Sequence, residues 1–380
     1  MLQSRSLAFR LLVLAGAAAV LLVIAGAAAA TFGSPRAWLG LEPDPKDYRA
    51  DEPTAPCLPK PRELRTLSDP AAAPGAWTRN PPLPFGRDEA ASAYAGGRVY
   101  FIAGHRFFKD QEKTLQSVSE MVSFAPGETG YRTEPPAPIR VDHPAAVSHD
   151  GKLYLVGGFE NRVAVNTLFE FDPASREWTR LADMPTARGA EAAAVIDGKL
   201  YVAGGAPPTF PTSLVDPYDA LEVYDFATDS WSRAAALPTA RHHIGGAALK
   251  GKFYVAGGRE PDEPEFSLDA FERYDPSTGK WETLPAIPQG VGGVAAVATE
   301  SEVVLLGGAD EIEKWITPTV WAFNPDTNRW RRLPDLEEAR HSLTATVGAG
   351  RIWAMGGAPC PGFGLSSTVE SLPVSAAPAT

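Results

Sequence analysis

Four arginines fall at one place in a recurring pattern: Arg87, Arg188, Arg241 and Arg340. Each lies ten residues beyond an aromatic, namely Trp77, Trp178, Trp231 and Trp330, while Val141 and Val291 interrupt the series. Guanidinium groups converging on one opening would hold a carboxylate or an acidic sugar through charge-assisted forks. Pairing with neighbouring acids or carbonyls is the competing role for the same residues. Histidines stand beside them: His143, His242, His243 and His341. Imidazoles drawn from alternate repeats could in principle surround a metal ion or line a polar channel.

The elements that must position these residues repeat. With Trp77, Tyr131, Trp178, Trp231, Trp281 and Trp330 as position zero, Gly104, Gly158, Gly205, Gly258, Gly308 and Gly357 all follow at offset 27. A second glycine precedes five of them, Ala103 being the exception. Seven residues before each internal position zero stands Phe124, Phe171, Tyr224, Tyr274 or Phe323. Each unit reads as four strands: a small-residue strand such as 190–196, a turn at Asp197-Gly198, a strand ending in Gly-Gly, and then two strands carrying the aromatics. Internal repetition at this period is the signature of propeller blades. Small residues suit strands that converge on an axis, and the large aromatics supply the area that packs blade on blade.

These motifs, Gly-Gly, then Tyr-Asp, then Trp, then Met184-Pro185-Thr186-Ala187-Arg188 or Leu237-Pro238-Thr239-Ala240-Arg241, resemble the kelch repeat. The resemblance runs from Trp77 to about Pro373 and implies an all-β, six-bladed β-propeller. The pattern starts and stops in mid-blade, so the Trp77 strand is expected to close the ring as the outer strand of the last blade, leaving no bare edge. Blade 1 (Ala103, Ala125, Tyr131) and blade 5 (Ser301, Val304) depart from the consensus. A propeller channel of ordinary width keeps three imidazoles too far apart for one ion, so neither a metal nor another cofactor is expected.

All length variation lies between Gly-Gly and the next aromatic. Insertions confined to one connection lie on one face, which is the default binding surface. In kelch propellers the outer-to-inner connections, which carry the arginines, look toward that face. The variable connections carry Phe107, Phe108, Phe210, Phe266, Trp315 and Phe363 beside the acids Glu260, Asp262, Glu263 and Glu265. The expected ligand-binding set is Arg87, Arg188, Arg241, Arg340, His143, His243, His341 and Trp315, for a protein, peptide or acidic-glycan ligand. No catalytic residue is assigned, since no Ser-His-Asp spacing, phosphate loop or HExxH helix occurs. Kelch propellers also include galactose oxidase-like copper enzymes and exported sialic-acid mutarotases. The first would need a Cys–Tyr crosslink for which Cys360 is the only propeller cysteine, and the second needs only an acid/base pair.

Outside the propeller, Leu11–Ala30 is a twenty-residue apolar run behind Arg5 and Arg10. It is expected to be a hydrophobic helix, either a cleaved signal peptide or a transmembrane anchor with its N-terminus inside. Residues 31–76 are rich in proline and read as a linker, and 77–380 as the propeller, exported to a periplasmic or cell-surface position. There Cys57 and Cys360 are candidates for a disulfide. The net charge of −11 argues against a nucleic-acid partner.

Overall fold

The computed structural model describes residues 76–108, 111–207, 219–260, 266–310, 315–361 and 364–374. The N-terminal apolar run, the proline-rich linker and Cys57 therefore lie outside the described residues. Among the described residues no helix is long and apolar enough to cross a membrane. By contacts the chain separates into Met1–Arg49 with Phe107–Gln116, and Ala50–Arg106 with Ser117–Thr380. Of the first unit the described part is extended, forming portions of strands His105–Phe108 and Gln111–Ser117. The second unit holds the repeats.

Six four-stranded antiparallel sheets make up this second unit, each a blade of the propeller. In blade 3 the inner strand Ala192–Ile196 pairs with Lys199–Ala203, which pairs with Leu221–Asp225, which pairs with Ser230–Arg233. The other blades follow the same order. Blade 6 is assembled from both ends of the repeat: Thr78–Arg79 pairs with Val369–Pro373, placing Thr78 opposite Ser371 and Arg79 opposite Glu370. Small inner strands are obligatory: a Cβ on Gly246 in blade 4 would stand 2.7 Å from the Cβ of Ala192 in blade 3.

Three sets of hydrogen bonds run from blade to blade. Each position-zero aromatic donates to a carbonyl four residues beyond the preceding blade's aromatic: Trp178 to Pro135, Trp231 to Ala182, Trp281 to Ala235, Trp330 to Pro285 and Trp77 to Pro334. Tyr131 does the same through its hydroxyl to Pro81, so the tyrosine of blade 1 keeps the function of an indole N–H. The second glycine of each pair donates its amide to the offset-10 residue of the next unit, as in Gly158 to Arg188 O and Gly357 to Arg87 O. The third set links the offset-12 residues head to tail around the whole ring, from Glu89 through His143, Ala190, His243, Gly293 and Ser342 back to Glu89.

The four arginines are buried rather than presented at a channel mouth, each at most 1 % exposed. Arg188 forms an ion pair with Glu222 at 2.8 Å, Arg241 with Glu272 at 2.6 Å and Arg340 with Glu370 at 3.0 Å. Arg87 donates to the carbonyls of Ala103 and Glu120. The three partner carboxylates are as buried as the guanidiniums. A ligand on the surface cannot reach these groups, so the expected anion-binding role is corrected: they anchor the connection entering each blade to its second and third strands. Val141 and Val291 fill the same place without charge, and there the third strands carry Phe169 and Trp321 where blades 3, 4 and 6 carry glutamate.

Removing one partner of such a pair strands a buried charge. Arg188→Ala or Glu222→Ala is expected to cost about 3–5 kcal/mol in urea unfolding, whereas Arg188→Val with Glu222→Phe, copying the apolar blades, should recover most of it. Equal losses in all three variants would mean that packing, not charge, carries the strut.

Candidate functional site

The offset-12 residues owe their position to backbone geometry. Each adopts a left-handed conformation, with φ of 48° at Glu89, 54° at His143, 59° at Ala190, 53° at His243, 62° at Gly293 and 53° at Ser342. That turn directs the amide round the ring and lets the offset-12 and offset-13 side chains line an axial cavity of about 110 Å³. The neighbouring offset-11 segment pairs with the segment just after Gly-Gly in its own blade, as in Asp88 with His105, Asp142 with Phe159 and His242 with Arg259. Both families of connections therefore share one face in every blade, and the cavity lies at that end of the axis.

Blades 1, 2 and 4 bring Glu89, His143 and His243 together. Glu89 Oε1 lies 3.2 Å from His143 Nε2 and 4.0 Å from His243 Nε2. The two imidazole rings meet edge to face with centroids 5.0 Å apart. The channel is thus much narrower at this level than the width assumed from the fold alone, and the reason for expecting no metal falls away. Ser342 donates to Glu89. A chain of polar groups continues outward: His143 Nδ1 meets Asp142 at 2.6 Å, and Asp142 meets His105 Nε2 at 3.1 Å. His105 Nδ1 in turn lies 3.2 Å from Asp88. Two groupings have metal-ligand spacing, Glu89–His143–His243 and His105–Asp142–His143.

Burial works against charge throughout this cluster, and the near pairs decide the outcome. Desolvation opposes the imidazolium of His143, but Glu89 and Asp142 overcome it and raise the pKa to about 9. Burial would raise Glu89, yet His143, Ser342 and His341 bring it down to about 2. His242, desolvated and facing Arg259 and then His143, is lowered to about 3. His243 is held well below its ordinary value for the same reasons. His341 reaches the cluster through Ser342. Its Nδ1 bonds Ser342 Oγ at 2.9 Å and its Nε2 bonds the carbonyl of Cys360 at 2.8 Å.

Glu191 stands apart. At offset 13 the other blades carry Ala90, Pro144, Ile244, Val294 and Leu343, apolar side chains lining the cavity. Glu191 is 6 % exposed, and neither carboxylate oxygen has a side-chain hydrogen-bond partner. Burial lifts its pKa to about 8, with Arg188, backbone amides and His143 pulling the other way. At neutral pH it is chiefly a neutral acid facing an ionised cluster.

Of the remaining expected ligand contacts, Trp315 is 2 % exposed and packs into the core of blades 4 and 5, so it offers no surface, and that assignment is corrected. Phe266 is 53 % exposed. Cys360 is disulfide-bonded.

A family model described as the KLHDC2/KLHL20/DRC7 Kelch-repeats domain matches residues 91–308, more than half of the chain. The chain belongs to the kelch-repeat family. A second model, the Kelch motif, matches 291–337. Kelch-like protein 40 of Mus musculus is 34 % identical over 190 residues, covering 48 % of this chain and 28 % of that protein. Kelch-like protein terF of Aspergillus terreus is 32 % identical over 190 residues, covering 48 % of this chain and 40 % of its own length. This chain therefore spans less than half of the curated relatives it matches. The solved structure of YjhT superposes with a TM-score of 0.64 at 17 % identity, covering 77 % of this chain and 96 % of that one. That likeness supports the propeller fold.

Within the kelch repeat, sequence reasoning missed Glu89 and Glu191, as well as Asp88, His105, Asp142 and Ser342, which extend the cluster; for the first two a signal existed. Both would have emerged from tabulating offsets 12 and 13 as columns, in which Glu89 falls with His143 and His243, and Glu191 alone is charged. Glu191 has a measurable consequence. Between its ordinary pKa near 4.5 and about 8 the folded state holds a proton that the unfolded state has lost, so stability falls as pH rises. Glu191→Gln should remove that slope, raising the melting temperature over the parent much more at about pH 8.5 than at about pH 5.5. An equal difference at both would place the ionised acid comfortably in the fold.

Proposed function

We propose that this chain is a kelch-type recognition domain that binds a protein, peptide or glycan through the face shared by its variable and outer-to-inner connections. The observation that carries the reading is the pairing of those two families of connections in each blade, from Asp88 with His105 to His341 with Ala358. Every length change in the repeat thereby falls around one opening. An exposed Phe266, which directly follows the acidic stretch 260–265 in sequence, gives that face an apolar anchor. The preference for acidic ligands lapses with the burial of the arginines.

A second reading, a carbohydrate-active enzyme of the sialic-acid mutarotase kind, is favoured by one observation: a neutral Glu191 faces ionised Glu89 and His143 across the axial cavity. One acid and one base are what opening and reclosing a sugar hemiacetal require. On a glycan-and-peptide array, Phe266→Ser in the full chain should weaken the parent's binding about tenfold with unchanged unfolding. Undiminished binding would rule out this part of the face. Silence on the array, with faster anomer exchange of sialic acid by NMR that Glu191→Gln abolishes, would favour the enzyme.

The reading includes export. It is supported by the apolar run Leu11–Ala30 behind Arg5 and Arg10. Protease added outside intact cells, after permeabilising any outer membrane, should digest the chain. Full protection until the inner membrane is lysed would show that the propeller stays inside.

A further inference from the structure

We propose that Glu89, His143 and His243 form a mononuclear site for a first-row divalent cation such as Zn2+ on the propeller axis, with coordination positions open to the cavity. The ligand atoms all lie within 4.8 Å of one another. An ion about 2.0–2.1 Å from each of three tetrahedrally disposed ligands holds them roughly 3.4 Å apart. The observed separations of 3.2 and 4.0 Å from the Glu89 oxygen bracket that value, so small side-chain adjustments suffice.

The ring orientations favour coordination through Nε2. His143 has its Nδ1 engaged by the Asp142 carboxylate at 2.6 Å, and His243 has its Nδ1 engaged by His242 Nδ1. Ligating histidines are commonly fixed in this way by a partner on the far nitrogen, which sets the ring and strengthens the donor. Two imidazoles and one carboxylate suit zinc and similar first-row ions better than magnesium or calcium, which prefer oxygen. The other members of the same backbone ring leave space: Ala190 and Gly293 present no donor, and the three ligands line the 110 Å³ cavity. A tetrahedral ion with three protein ligands would retain a position for water or a ligand atom there. The alternative grouping around His105 is less suited, because neither His105 nor Asp142 lines the cavity, so an ion held there would have no position open to it.

Untagged full-length protein, stripped with chelator and dialysed, should bind about one equivalent of Zn2+ in calorimetric titration. His243→Ala should weaken that binding by about 100-fold or more, as should Glu89→Gln, with the circular dichroism spectrum of each unchanged. His149→Ala, at a histidine stacked on Phe226 and outside the cavity lining, should bind like the parent. Co2+ in place of Zn2+ should give intense visible absorption in the parent, reporting low coordination number, and lose it in His243→Ala. The proposal is overturned by less than about a tenth of an equivalent bound at saturating Zn2+. It is overturned equally if His243→Ala binds as the parent does, or if His105→Ala abolishes binding while His243→Ala does not. Should Glu89→Gln fail to fold, His243→Ala and the cobalt spectrum decide alone.

Discussion

The amide of His143 reaches the carbonyl of Glu89, and five further bonds of the same kind, the last from the amide of Glu89 to the carbonyl of Ser342, close the ring. This closed belt demands a left-handed residue at the same place in all six units, and the rest of the molecule is arranged around that demand. The turn sends the chain from the outer strand of one blade into the inner strand of the next. It sets how closely inner strands approach, and hence why their residues are small. It also sends the offset-12 and offset-13 side chains to the axis, where six equivalent main-chain positions carry unlike groups.

Farther from the axis, other contacts take over the same connection between blades. Indole N–H groups and one tyrosine hydroxyl hold the outer strands to the preceding blade, while the buried Arg–Glu pairs hold the connection to its own blade. Those pairs are exchangeable within this one chain. Where valine replaces arginine, an aromatic replaces glutamate, as Val141 with Phe169 and Val291 with Trp321 show. A buried ion pair and an apolar pair are two solutions to the same packing problem.

The blade count and the strand order were legible because Gly-Gly and the aromatics are fixed by close approach and by packing area, which leave residue types in fixed places. The arginines were legible in position but not in role. Reading them as ligands needed only their own spacing, whereas their burial is set by glutamates some thirty residues away, visible only when the third strands are aligned together. Trp315 misled for a related reason: an aromatic in a variable connection can turn into the core between two blades, and its place in the sequence does not say which do. The axial cluster was half legible. His143 and His243 were found from their type, but Glu89 sits in blade 1, the most divergent unit, and how narrowly the belt draws the three together follows from backbone torsion rather than composition.

The belt's own bonds use main-chain atoms alone, so its geometry does not fix which side chain stands at each of its six positions. Six repeats with one main-chain conformation can therefore differ at that single place while the disc stays whole, and here Glu, His, Ala, His, Gly and Ser follow one another. The axis is the part of this molecule where one substitution changes the chemistry without changing the frame, and the left-handed turn, which here carries Glu, His, Ala, Gly and Ser but resists β-branched residues, sets the alphabet available.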